Sequence, residues 1–543
     1  MPTLMTTLVL IAPASFLVAA ATGLVPRLRS SEVVVRAGKV AAGVGVVAAV
    51  AAASSVAVDG AVTGPTLGWD GLGASIRLDA LSVTMLTMVS ILAAVVFAYS
   101  CTYLEGDPRR GTFLVRLAQT IAAVEVLVIA GNLALLVLAW IGASLGLHRL
   151  LTFDPHRVRA VLAARKRFVV ARVCDVALVL ACVLLHQRFG TGDLAAISRS
   201  LELDPGGADV ATVVAALAVV VAAALKSAQF PTQGWLIEVM ETPTPVSALL
   251  HAGLLNAGPF LVLRSSAVVD GAVAATTVLI VVGATTALVA SVILLTQPSV
   301  KVSLAYSSAA HMGFMLLICG MGFYSAALLH LVAHSFYKAH AFLSSGSTVD
   351  ERRASTVHLP ARLGRPGPLV LSALVAAGLY LGIAMLLGVE VVDEPMLLLV
   401  GAVLVMGTSL LIAPALDARS FPAVRAVAVV AAAGVTSSFF LLEAGAHRLL
   451  DGTVVEPDTR TPLQVALVLV VLTAFAWVIR LQMLHPSGPP SARARRMLVH
   501  LRNGLYADVA FERVVAAIWP HPSAPAANVP ALVRPTRASE VPS

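Results

Sequence analysis

Residues 210–253 read VATVVAALAVVVAAALKSAQFPTQGWLIEVMETPTPVSALLHAG. The run through Leu225 has the composition of a membrane helix, and it ends on a charge, Lys226. Pro231, Pro243 and Pro245 follow. Proline has no N–H and clashes with the preceding turn, so it breaks helices. A broken or re-entrant segment survives at membrane depth only where it is buried in protein or lines a wet cavity. A helix interruption beside a buried lysine is the layout of an ion pathway. The competing explanation is that Lys226, close to the end of its span, snorkels to the surface.

The rest of the chain agrees with a membrane setting. Of 543 residues, 58% are hydrophobic and 12% charged, whereas soluble domains carry about a quarter charged residues. A soluble enzyme, a disordered protein and a nucleic-acid binder are therefore disfavoured. The net charge of +8 is small for this length. Cys101, Cys174, Cys182 and Cys319 are scattered, with no CxxC or Cys/His cluster, so neither a disulfide framework nor a metal or cofactor site is expected. Aromatics make up only 5%, and the abundant small residues suit close helix packing in lipid.

A bilayer core takes about 20 apolar residues per helix. Such segments lie near 4–25, 39–58, 80–103, 112–130, 132–150, 168–188, 210–228, 244–264, 271–296, 301–320, 323–346, 367–388, 395–415, 423–443 and 461–484. The expected fold is an all-α polytopic membrane protein of about 15 helices, some discontinuous, over residues 1–485. Residues 486–495, PSGPPSARAR, read as a linker. Residues 497–519 have the spacing of an amphipathic helix lying on the membrane or on a partner, and 520–543 read as a disordered tail. No positive charge precedes the first span, while Arg27 and Arg29 follow it, which favours a retained helix with its N-terminus outside. The 149–168 connection carries Arg149, Arg157, Arg159, Arg165, Lys166 and Arg167 against Asp154, a balance of +5. The 188–209 loop carries Arg188 and Arg199 against Asp193, Glu202, Asp204 and Asp209, a balance of −2. The 350–366 loop is basic and the 389–395 loop acidic. By the positive-inside rule the C-terminus is cytoplasmic.

An ionisable group at bilayer depth costs about 3 kcal/mol on insertion scales, so each one asks for a reason. In HLVAHSFYKAHAF (330–342), His330, His334 and Lys338 stand at i, i+4 and i+8. They share a stripe about 80° wide on one helix face, with His340 off it. Such a row can pass protons or form a structural polar seam. It lacks the carboxylate or third ligand that a metal site usually needs. His251 is either a relay or a packed core histidine. His311 has no local pattern, and Lys301 is either a relay or an anchor at its helix start. Arg172 and Asp175, at i, i+3, form a candidate structural ion pair. Glu125 has no local partner, so it is either a proton carrier or a group bonded to a neighbouring helix.

KSAQFPTQGWLIEVMETPTPVSALLHAG (226–253), KVSLAYSSAAHMGFM (301–315), HLVAHSFYKAHAFLSSGS (330–347) and RVCDVALVL (172–180) together resemble the proton-translocating module of the antiporter-like subunits of respiratory complex I and of Mrp-type sodium/proton antiporters. HLRNGLYADVAFERV (500–514) has the same look. The resemblance implies proton-relay roles for Lys226, His251, Lys301, His330, His334 and Lys338. Two departures stand out. Ile141 follows Trp140 in LAWIGASLGLHRLL, where complex I subunits usually place a glutamate. Segment 367–388 has no charge, where they place a lysine. Glu125 is a candidate replacement for the missing carboxylate. With LHRLLTFDP (147–155) and KAHAFLSSGS (338–347), these losses resemble the membrane subunits of DAB-type inorganic-carbon accumulation complexes. That branch implies a bacterial plasma-membrane subunit that conducts protons and drives a zinc-binding, carbonic-anhydrase-like partner, DabA. The chain itself would then be a transporter subunit, not the enzyme. A complex I or hydrogenase pump subunit, an Mrp-type antiporter subunit and a purely structural scaffold are the alternatives.

Single cysteines placed at 156 and at 200 in intact cells should separate the two faces. A membrane-impermeant maleimide is expected to label position 200 and spare position 156, and the reverse pattern would invert the topology.

Overall fold

The computed structural model describes residues 2–25, 31–203, 209–346, 366–389, 395–416, 421–454, 460–483 and 491–519. Its principal helices are α1 (Ile11–Thr22), α2 (Ser31–Asp59), α3 (Ala80–Tyr103), α4 (Arg110–Ile129), α5 (Leu133–Leu151), α6 (Val158–Phe189), α7 (Val210–Lys226), α8 (Thr244–Ala252), α9 (Ala257–Arg264), α10 (Val273–Leu294), α11 (Val300–Gly320), α12 (Tyr324–Leu343), α13 (Gly367–Leu386), α14 (Pro395–Ile412), α15 (Pro422–Leu450) and α16 (Pro462–Met483). Two shorter helices follow, α17 (Ala492–Arg502) and α18 (Ala507–Ile518).

Each of the fifteen apolar segments is helical. Among the described residues, 13 helices are long and apolar enough to cross a membrane, with Thr244–Arg264 taken as one. The other two segments are α7, apolar but only 17 residues long, and α12, whose His330, His334, Lys338 and His340 lower its apolarity. The span at 244–264 is discontinuous: α8 stops at Ala252, a 3-10 turn covers Leu254–Asn256, and α9 resumes at Ala257. This is the most enclosed span, with 94% of its window buried inside the protein. Surrounding helices shield its interrupted backbone from lipid, as the bilayer demands. α10 and α11 approach through Gly283 and Gly313, where a Cβ would come within 2.5–2.7 Å of the opposing backbone. Small residues at a crossing permit this contact.

Several boundaries differ from the sequence expectation. α6 begins at Val158, so Arg159, Arg165, Lys166 and Arg167 belong to a helix and not to a loop. The helix continues because Lys166 and Arg167, both nearly buried, find polar partners on neighbouring elements. Ala492 starts a helix inside the stretch read as linker. The amphipathic 497–519 stretch is not continuous, since Leu505 and Tyr506, with φ near +60°, separate α17 from α18. The loop at 350–365, the acidic residues 390–394 and the tail 520–543 lie outside the described residues.

The connection between α2 and α3 holds two small hairpins that the span count did not register. β1 (Val62–Thr63) pairs with β4 (Arg77–Leu78), and β2 (Leu67–Trp69) pairs with β3 (Leu72–Ala74). Asp70 and Gly71, both at positive φ, form the two-residue turn that suits a twisted hairpin. Asn132 caps α5 and anchors the hairpin: its Oδ1 accepts from Gly73 N at 3.2 Å and its Nδ2 donates to Gly71 O at 2.9 Å.

Asp79 follows β4 and caps α3, and it is fully buried. Arg77 reaches it at 2.7 Å, and Arg264, at the end of α9, at 2.5 and 3.1 Å. Burial alone would raise the Asp79 pKa, but the Arg264 and Arg77 guanidiniums outweigh it and hold the carboxyl at about 2. Removing one partner of a buried pair strands the other charges and costs about 3–5 kcal/mol. Asp79→Ala is therefore expected to lower the detergent-solubilised melting temperature sharply, while substitution of the exposed Asp70 leaves it nearly unchanged. Because the folded pKa is depressed, the Asp79 contribution is complete above pH about 4 and is lost as pH falls toward about 2. A melting temperature unaltered by Asp79→Ala would show that the cluster contributes nothing net.

Candidate proton-relay site

α7 ends at Lys226 because the chain turns away there. Ser227 caps it, and Ala228 adopts a positive φ. Gln229 N still bonds back to Ala224 O at 3.2 Å, and Pro231 prevents resumption. The interruption leaves Lys226 inside the protein with only 7% exposure. Its Nζ donates to Ser144 Oγ at 2.8 Å and lies 4.1 Å from the Trp140 ring centroid. This is a close cation–π contact. Trp140 and Ser144 are one turn apart on α5. The ionisable neighbours of Lys226 are Cys174, Arg167, Asp175 and Arg172, all on α6. Arg172 and Asp175 form an ion contact at 2.6 Å, without hydrogen-bond angles. Arg167 donates to Ser144 O at 3.1 Å.

Asp175 is the carboxylate in this group. Glu125 faces elsewhere. It is fully buried on α4 and accepts from Ser90 Oγ on α3 at 2.9 Å. A Cβ on Gly45 of α2 would lie 3.5 Å from the same oxygen. Its other oxygen has no hydrogen-bond partner among the described residues.

A second group gathers where α8, α11 and α12 meet. His311 Nδ1 and His330 Nε2 are 3.1 Å apart. His311 also lies 5.1 Å from His334, ring to ring, and His330 and His334 are 6.1 Å apart. Lys338 is fully buried and donates to Leu304 O at 3.2 Å and to Ser307 Oγ. His251, also fully buried, stacks on Phe342 at 4.4 Å, and Lys338 is its charged neighbour. Neither ring nitrogen of His251 or His334 has a hydrogen-bond partner among the described residues. Buried side-chain nitrogens without a partner are uncommon and call for a functional or water-mediated explanation.

Polar groups also stand between the two clusters. Ser227, beside Lys226, donates weakly to Leu255 O at 3.4 Å. The adjacent Asn256 donates to Ser335 Oγ on α12 at 2.6 Å. Lys301 lies at the margin, partly exposed, with its Nζ 3.5 Å from Thr244 Oγ1. His340 is exposed. Among the described residues no three His, Cys, Asp or Glu side chains are placed to hold a metal ion.

The sequence understated His311, whose partners are on another helix. It offered no sign of Ser144 or Ser307, since serine is ordinary in membrane helices, and Asn256 stood out only as a neighbour of His251 in the sequence. It also missed a cluster at the helix break. Lys166 binds Glu238 at 2.7 Å, Asp508 of α18 at 3.2 Å and Glu512 at 3.9 Å. The short helix Gly234–Glu238, just beyond Lys226, is thereby tied to α6 and α18.

Residues 130–413 match the family described as NADH:quinone oxidoreductase/Mrp antiporter, TM. Residues 71–114 match the N-terminus of NADH-ubiquinone oxidoreductase (complex I) chain 5. A protein of Halothiobacillus neapolitanus named "Probable inorganic carbon transporter subunit DabB2" is 38% identical over 83% of this chain and 81% of its own length. A "Probable inorganic carbon transporter subunit DabB" of Hydrogenovibrio crunogenus is 40% identical over 53% of this chain and 56% of its own. The fold resembles a chain in the structure of the Mrp complex from Dietzia sp. DQ12-45-1b, with a TM-score of 0.64, 24% identity, and coverage of 94% of this chain and 59% of that one. The chain belongs to the NADH:quinone oxidoreductase/Mrp antiporter transmembrane family.

Proposed function

We propose that this chain is the membrane subunit of an inorganic-carbon uptake complex. It conducts protons down the proton motive force and so drives a zinc-binding, carbonic-anhydrase-like partner, DabA, in a bacterial plasma membrane. The observation that carries the proton role is Lys226: a buried lysine at a helix break, held by one serine hydroxyl and an indole face, with Asp175 as its carboxylate. The carbon role is supported by the names of the two DabB relatives, by Ile141 in place of an acid, and by the charge-free Gly367–Leu386.

In this scheme Lys226 takes a proton and passes it on when its local field changes. Ser144 orients the ammonium, and Trp140 stabilises the charged form while keeping bulk water away. Asp175 sets the balance: paired with Arg172 it leaves Lys226 weakly compensated, and released from Arg172 it favours the charged lysine. Water-bridged transfer past Ser227 and Asn256 reaches His251, Lys338, His334, His311 and His330. Lys301 lies at an entrance to the α8–α11 side. In this reading Glu125, which accepts from Ser90, is not needed on the route. A membrane potential supplies about 2.3 kcal/mol per charge per 100 mV, enough to bias a hydration reaction near balance.

The second reading is a proton-pumping subunit of a complex I-type oxidoreductase, a hydrogenase or an Mrp antiporter. The descriptions of the matched families favour it. The missing charges at 141 and in α13 oppose it. The test is growth in air of cells that lack carbonic anhydrase and express this chain with its zinc-binding partner. Rescue is expected, and an uncoupler should abolish it. Lys226→Ala and Asp175→Asn are each expected to cut uptake by about a hundredfold, the scale of losing a positioned proton-transfer group. Glu125→Gln should cost less than about threefold, since its loss breaks a single neutral–carboxylate bond off the route. Full rescue by Lys226→Ala, or rescue insensitive to uncoupler, would refute the proton role. A collapse with Glu125→Gln alone would return the carboxylate function to α4.

A further inference from the structure

Below α17, the outer walls of α10 and α16 separate and leave an apolar cleft of about 730 Å³. Leu288 and Val292 form one side, Leu469 and Trp477 the other, and Leu501 and Leu505 close the top. The walls come from the last two turns of α10 and from the stretch Leu469–Val478 of α16, so the cleft runs from the end of α10 toward the middle of α16. None of α10, α16 or α17 carries an aspartate or glutamate.

Arginines stand on two of the helices that form the mouth. The Arg480 guanidinium, one turn beyond the lining, lies 5.8 Å from the Trp477 ring centroid. On α17, at about 100° per residue, Met497, Leu498 and Leu501 share one arc, and Arg493 and Arg502 flank it about 40° to either side. Met497 and Leu498 are more than half exposed. Gln297, just beyond α10, donates to the Arg502 carbonyl at 3.3 Å and fixes the end of α17 over the cleft. An apolar stripe between flanking arginines is the pattern of a helix seated in the membrane interface, with arginine stems in the apolar layer and heads at the phosphates.

We propose that this cleft is a specific site for an anionic phospholipid. An acyl chain lies against Leu288, Val292, Leu469 and Trp477, and the phosphate is held by Arg480, Arg493 and Arg502. A basic pocket between membrane helices is the chemistry that recognises anionic headgroups, and Trp477 supplies the amphipathic face common at that depth. The arginines of α16 and α17, helices without a carboxylate, select an anionic lipid over a zwitterionic one, and the apolar walls select a lipid over free phosphate. The lipid also bears on the relay. α17 is joined through a short turn to α18, whose Asp508 holds Lys166 and, with it, the Gly234–Glu238 segment beyond Lys226. A bound lipid therefore clamps the C-terminal helices onto the face beside the helix break. The site itself rests on the cleft and its arginines, independently of what the complex transports.

Native mass spectrometry of the delipidated full-length chain, titrated with phosphatidylglycerol, phosphatidylcholine or inorganic phosphate, tests the site. Phosphatidylglycerol should bind at least about tenfold more tightly than phosphatidylcholine, and phosphate should not bind measurably. Each of Arg480→Gln, Arg493→Gln and Arg502→Gln should weaken phosphatidylglycerol by about fivefold and leave phosphatidylcholine unchanged. Leu501→Trp, which fills the cleft, should weaken both lipids and serves if an arginine variant fails to fold. Equal affinity for the two lipids, tight binding of phosphate alone, or phosphatidylglycerol affinity untouched by the arginine and Leu501 changes would overturn the proposal.

Discussion

A charged side chain deep in a membrane protein must be compensated by something nearby, and the organisation around Lys226 follows from that constraint. The lysine stands where α7 stops, so its ammonium meets partners from α5 and α6 and none from a continued α7. The compensation is incomplete: one hydroxyl, one indole face, and a carboxylate shared with Arg172. Full pairing would trap the proton, and no pairing would keep the site neutral. The structural charges show the contrast. Asp79, gripped by Arg77 and Arg264, is suited to holding helices together and ill suited to exchanging protons.

The same constraint separates polar groups by role. His251 and His334 are buried with open ring nitrogens, His311 and His330 face one another, and Lys338 is tied to backbone and serine of α11. These groups meet at three helices, one of which is interrupted at Gly253. Interrupted backbone and incompletely satisfied side chains occur in the same enclosed region, where protein shields both from lipid. Beyond the helix break, Lys166 gathers Glu238, Asp508 and Glu512, a more fully paired arrangement that joins the Gly234–Glu238 segment to α18.

Much of this was legible in the sequence because apolar length and proline position are local signals. The fifteen helical segments and the break after Lys226 follow from them. The i, i+4, i+8 row on α12 is equally local, and its side chains do share a face. What sequence spacing cannot carry is contact between helices far apart in the chain. Asp175 was read as a structural partner of Arg172, and its proximity to Lys226 depends on how α6 packs against α7. Glu125, the candidate substitute for an acid at 141, bonds to Ser90 on α3, a contact between helices that spacing does not show. His311 and the Lys166 cluster were obscured for the same reason. The small hairpins at 62–78 were missed because strands of two or three residues leave no periodicity, although Asp70-Gly71 is a turn signal.

In the proposed scheme protons cross by way of Lys226. The most direct measurement is potential-driven proton entry into vesicles that contain the purified chain with the proposed zinc-binding partner, followed by an internal pH dye after a potassium diffusion potential is applied. The account predicts entry in the presence of carbon dioxide that Lys226→Ala abolishes while the complex remains assembled. Proton entry at the unaltered rate in Lys226→Ala vesicles would contradict it.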